Sequence, residues 1–188
     1  MRTPRWITAV TALALIAGCG DRKLVLKVDV LSYLDPADTM ASFGPVPAFP
    51  GGVATGELAM VNDAQINLLA GLSDAAEVQS VTVSLSTVVV DSTGGGSDTL
   101  RVYASDPGTD PRTTLPILEQ TVVMTPGATD TVTAVLDGDA RLAALFAAKK
   151  MRLTVTTSLR GPASGADLNG RLWIRALDAV VIAGRKSL

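Results

Sequence analysis

The sequence predicts an all-β fold: an antiparallel β-sandwich, jelly-roll-like, with one short helix. Three observations predict it. Short runs rich in Val, Leu, Thr and Ser alternate apolar and polar residues with a period of two, which marks strands with one wet face. Clusters of Gly, Pro and Asp separate those runs, as in "STGGGS", "DPGTDP" and "TPGATD". Only one segment has helical periodicity. Many short strands with a single helix favour two stacked antiparallel sheets over an α/β arrangement. The chain has 188 residues, 47% of them hydrophobic, enough for one domain that buries about two-thirds of its unfolded surface. Closure into a barrel is compatible with the pattern. An outer-membrane barrel is not, because the outward positions are polar rather than an apolar belt with aromatic girdles.

The domain is expected over residues 23–188. "KLVLKVDV" (23–30) puts Leu24, Leu26, Val28 and Val30 on one side and Lys27 and Asp29 on the other. Residues 35–56 hold four prolines and four glycines; that density forbids a regular helix and disfavours a central strand, so a long ordered loop or edge excursion is expected. Phe43 and Phe49 are expected to plug it into the core. "GELAMV" (56–61) and "INLLAG" (66–71) are short strand candidates, and "SDAAEV" (73–78) reads as a turn. "VQSVTVSLSTVVVD" (78–91) is the clearest strand, with Val81, Val83 and Leu85 inward. A hairpin loop at 92–97 leads to "DTLRVYAS" (98–105), then strands follow at 115–124 and 131–137.

"DARLAALFAAKK" (139–150) places Leu142, Leu145 and Phe146 on one face, with acid first and lysines last, matching the helix dipole. It is expected to span three turns over an open end of the sheets, with Asp137 or Asp139 as its N-cap. Strands at 151–160 and 170–184 finish the fold, with Asn169-Gly170 expected as the turn between them. In the last strand Leu172, Ile174 and Ala176 would carry Asp178 inward, so a bulge near Leu177-Asp178 is expected.

The first eighteen residues have a different character. Arg2 and Arg5 precede an uncharged run of 13 residues, Trp6 to Gly18. That run is shorter than the roughly 20 residues a spanning helix needs, and its layout is that of a secretory signal peptide. It ends in Ile16-Ala17-Gly18-Cys19, and Cys19 is the only cysteine in the chain. This tetrad resembles the lipobox of bacterial lipoproteins. The resemblance implies cleavage before Cys19, lipid on its thiol, a tether over residues 19–22 and residence in the bacterial cell envelope. It covers the first nineteen residues only. Because Gly20 rather than Asp follows the cysteine, it further favours the outer membrane over the inner one. The implied partner is the membrane, through that lipid.

Removal of residues 1–18 leaves 14 basic against 18 acidic residues, a formal charge of −4. Such a balance is unsuited to gripping phosphate backbones and excludes nucleic acid as the expected partner. With one cysteine no intramolecular disulfide can form, and with no histidine neither Ser-His-Asp nor Cys-His chemistry is available. No S-x-x-K motif occurs, so no catalytic residue is assigned.

What remains are turn carboxylates and a few rings. Asp106 and Asp110 in "DPGTDP", and Asp137 and Asp139 in "LDGDA", have the oxygen chemistry that Ca2+ takes, without EF-hand spacing; solvated turns and helix caps explain the same residues. Two such acids across a cleft would serve a hydrolase. Tyr103 and Trp173 are the rings expected to lie outside the core, where they would face a glycan or pack across a neighbouring strand. The sequence therefore predicts a lipid-anchored, non-catalytic binding or structural module for an envelope protein or glycan. No cofactor is called for. Carbohydrate- or calcium-binding and carboxylate-dependent hydrolysis stand as alternatives.

Overall fold

The computed structural model describes residues 23–67 and 76–185. Two sheets form the sandwich. The first has strands β1 (Leu24–Asp29), β2 (Met40–Val46), β4 (Ala76–Thr93), β7 (Thr129–Asp137) and β9 (Leu168–Arg185). The second has β3 (Leu58–Asn67), β5 (Gly96–Ser105), β6 (Leu118–Met124) and β8 (Lys150–Arg160). Their spatial orders are β1-β9-β4-β7, with β2 also on β9, and β3-β8-β5-β6. All pairings are antiparallel.

β1 and β2 lie on the same edge of the long β9, one beyond the other. β1 pairs with Asp178–Ala183 and β2 with Leu168–Trp173. Counted as one split strand, they make eight strands in two interleaved four-stranded sheets, which is the jelly roll expected from the sequence. Four connections, 47–57, 94–95, 125–128 and 161–167, gather at one end. The segment 106–117 and the helix α1 (Ala140–Ala147) lie at the other.

The core forms where the inner faces meet. Val81, Val83, Leu85, Leu177 and Val181 from the first sheet are buried with Leu100, Val102, Leu153, Val155 and Leu159 from the second. α1 seals one end by burying Leu142, Leu145 and Phe146, the predicted stripe. Asp139 caps it, accepting from the backbone N–H groups of Arg141 and Leu142. The helix is one turn shorter than expected. Lys149 adopts a left-handed conformation (φ 62°), which breaks the helical run and turns the chain directly into β8.

Other differences follow from packing. The segment 35–56 contains an edge strand, β2, where Pro45 sits at the rim and removes no interior ladder bond. Phe43 is buried, but Phe49 is 58% exposed, held at the loop end by its backbone N–H to the Pro162 carbonyl. The candidates at 56–61 and 66–71 merge into one bulged strand, β3; residues 68–75 lie outside the described ones. Ala76–Val78, expected in a turn, open β4. The segment 92–97 is no hairpin: it carries the chain from the first sheet to the second, through positive φ at Gly94, Gly95 and Gly96.

Asn169-Gly170 is not a turn. Both residues belong to β9, and the turn falls at 161–167. Gly170 is required because a Cβ there would sit 2.5 Å from Phe43 Cζ. The bulge in β9 occurs earlier than expected, at Arg175, between the pairs Thr87–Ile174 and Ser86–Ala176. It shifts the phase so that Leu177, Ala179, Val181 and Ala183 point inward and Asp178 points outward.

Candidate functional site

The outer face of the β3-β8-β5-β6 sheet carries the densest polar arrangement. Arg101 on β5 donates to Glu119 on β6 at 2.7 Å through Nε and to Glu57 at 2.9 Å through Nη1. Register explains the first contact, since Arg101 and Glu119 are direct cross-strand partners. Glu57, just ahead of β3, also accepts from the Tyr103 hydroxyl at 3.0 Å and from Thr156 at 3.3 Å. One carboxylate thus ties together β3, β5 and β8.

A second cluster lies further along the same face. The bulge in β3 leaves Asp63 at φ 58°, aimed at Arg152 on β8. Arg152 forms a two-pronged pair with it, through Nε and through Nη2 at 2.6 Å, and reaches the Thr109 carbonyl at 3.0 Å. The Asp63 backbone N–H donates to Thr154 Oγ1. The Arg152 hydrogen bonds hold the Asp63 carboxyl below its ordinary pKa.

These contacts decide what Tyr103 can do. Its ring is almost fully buried, so the expected outward ring is instead packed on its own sheet. Burial, and then its bond to Glu57, raise its pKa. Tyr103 is therefore a cross-link and not a platform for a sugar. Trp173 is half-buried on the outer face of the other sheet, paired with Met40 of β2 and Val88 of β4.

The four aspartates considered for Ca2+ are not brought together. Asp110 caps the short 3-10 turn Pro111–Thr113, accepting from Arg112 N. Asp139 caps α1. Asp137 accepts from Thr82 at 2.6 Å. The Asp106 carbonyl accepts from Thr109 N in its turn. Among the described residues, no group of three or more acids, histidines or cysteines is placed to share a metal ion. Cys19 and the lipobox residues Ile16, Ala17 and Gly18 lie outside the described residues.

Sequence reasoning overlooked Asp98. The first residue of the expected strand 98–105, it points into the core at the start of β5 and is 1% exposed. Thr157 donates to its Oδ1, while Oδ2 has no partner among the described residues. Burial pushes its pKa up to about 6 against the opposing Thr157 bond. The alternation carries the signal, because Asp98 shares the period-two phase of Leu100 and Val102, the inward residues of the same strand. A carboxyl enclosed in this way can hold a proton. The void under α1, lined by residues such as Val83, Ile117, Phe146 and Leu177, is wholly apolar.

No family model matches the chain, and no curated protein does. Solved structures with some similarity include those of infectious bursal disease virus. A structure of infectious bursal disease virus, Gx strain, is 11% identical with a TM-score of 0.40, over 98% of this chain and 38% of that one. A VP2 subviral particle of the same virus is 14% identical with a TM-score of 0.38, over 98% of this chain and 42% of that one. The chain spans well under half the length of these structures.

Proposed function

We propose that this protein is a lipid-anchored module of the bacterial cell envelope, non-catalytic, held at the outer membrane by acyl chains on Cys19. The observation that carries the reading is the intact tetrad Ile16-Ala17-Gly18-Cys19 at the end of a 13-residue uncharged run behind two arginines. Two or more acyl chains make such an attachment stable, at about 0.8 kcal/mol per buried CH2. What supports a binding or scaffolding role is that five side-chain carboxylates are engaged as caps and cross-strand ties. Glu57, Asp63, Asp110, Asp137 and Asp139 are each engaged in this way.

The test is acylation. Mass spectrometry of the N-terminal peptide from the membrane-extracted protein should find Cys19 as its first residue, carrying acyl mass. Cys19→Ser should leave an uncut precursor or release the protein into the soluble fraction. An unmodified Cys19 in membrane-extracted protein refutes the reading. Recovery only with the inner membrane refutes the outer-membrane part alone.

A further inference from the structure

We propose that the outer face of the β1-β9-β4-β7 sheet lies against the lipid headgroup layer, so that the domain rests on the membrane along this face. The inference builds on the Cys19 anchor and specifies its orientation. The tether fixes the neighbourhood. β1 begins at Leu24, and the six residues from Cys19 to Val25 reach at most about 20 Å. The strand held nearest the bilayer is therefore an edge strand of this sheet.

Reach alone allows the sandwich to stand on its end, but the chemistry of the faces favours lying down. The face of the other sheet is tied up in the ion pairs of Glu57, Arg101, Glu119, Asp63 and Arg152. This one carries many short side chains, Ser80, Thr82, Ser84 and Ser86 on β4 and Thr129, Thr131 and Thr133 on β7, with the charged Lys27, Asp29, Asp137, Arg171 and Asp178 spaced between them. Among them stand Val25 (51% exposed), Val180 (37%), Val135 (63%) and Met40 (52%), four of the ten large hydrophobic residues exposed among the described ones.

The aliphatics begin at the anchor. Val25 is directly opposite Ile182, and Val180 lies two positions along β9 opposite Lys27. This makes one contiguous aliphatic patch beside the tether. Lys23 is exposed in front of it. Lys27, 67% exposed, bonds Asp178 at 3.1 Å and still presents ammonium donors to water. Aliphatic side chains flanked by lysines are the composition that settles at a headgroup boundary, with apolar groups inward and ammonium groups on phosphate. A binding partner of this chemistry is a phospholipid surface.

Trp173 is a built-in reporter. It is the only tryptophan after Cys19, and it sits on this face beside Met40. Ten positions of β9 separate it from Ala183, which pairs with Leu24, so a domain standing on end would hold the indole roughly 30 Å above the bilayer. The experiment uses the full lipidated protein, reconstituted in vesicles of phosphatidylcholine and phosphatidylglycerol that carry a nitroxide on the headgroup. Flotation and N-terminal mass are measured on the same sample.

A lying domain loses most of its Trp173 emission. The double substitution Val25→Asp with Val180→Asp restores that emission while flotation and melting temperature stay unchanged. Met40→Asp, at the far end of the face, restores it in part. Unquenched emission from protein that floats and carries acyl mass overturns the docked face and leaves the anchor standing. Quenching that both substitutions leave untouched also overturns it. A chain with neither acyl mass nor flotation overturns the anchor, and this proposal with it.

Discussion

Asp98 sets a pH dependence whose size follows from its burial. An ordinary aspartate titrates near 3.8, whereas the folded carboxyl here holds its proton to about 6. Between those values the folded protein binds more protons than the unfolded chain, so stability falls as pH rises through that window. The shift of about two units corresponds to about 3 kcal/mol lost by pH 7 and fully regained below pH 3.8. Asp98→Asn removes the titration while keeping a carbonyl for Thr157 to donate to. The new amide would bring its own buried donors, a cost of about 1–3 kcal/mol that does not vary with pH. The informative quantity is therefore the difference between wild type and Asp98→Asn, followed by denaturant unfolding from pH 3 to pH 7. Relative to the wild type, the variant should gain about 3 kcal/mol across that range. For a chain this size that is a relative rise in melting temperature of about 6–12 °C. A difference that stays flat, or that shifts in favour of the wild type as pH rises, refutes the burial assigned to Asp98.

Three further outcomes are expected. Asp63→Asn keeps a residue tolerant of the left-handed backbone but discharges the pair with Arg152, so the melting temperature should fall at pH 7. Because the folded Asp63 titrates below its ordinary value, that deficit should persist as pH drops and close only below about 3.8. Tyr103→Phe takes one donor from Glu57 and should cost about 1 kcal/mol in urea unfolding, with no loss of strand signal in circular dichroism. Gly170→Ala drives a methyl group into the Phe43 ring and should destabilise by about 1–3 kcal/mol; Phe43→Leu in the same chain should recover part of that loss.

Patterned positions were legible and long-range partners were not. β4 could be read because Val81, Val83 and Leu85 alternate without interruption against Thr82 and Ser84. α1 could be read because Asp139, Leu142, Leu145 and Phe146 carry cap and stripe within one window. β9 was found, but its phase was lost at Arg175, since an extra residue leaves no mark in an alternating string. Asn169-Gly170 misled because the dipeptide that suits a tight turn also suits a strand that must admit a phenyl ring. Tyr103 looked free because its partner, Glu57, lies 46 residues away in a separate strand candidate. The jelly-roll topology was legible only as a class: strand count and turn chemistry favour a sandwich, while the order depends on pairings no local window contains.

The position of β9 also governs when the fold can close. β1, the first described strand, has β9 as its partner in the sheet, and β2 likewise has β9, the last described strand. Until β9 has been made, β1 and β2 have no edge to join, and β4 has only β7 beside it. A nascent chain therefore cannot complete the first sheet progressively as it emerges. Closure waits on contacts between distant parts of the sequence, the kind that carry the largest loop-closure cost and fold slowly. The architecture thus postpones its own completion until the last described strand is in place.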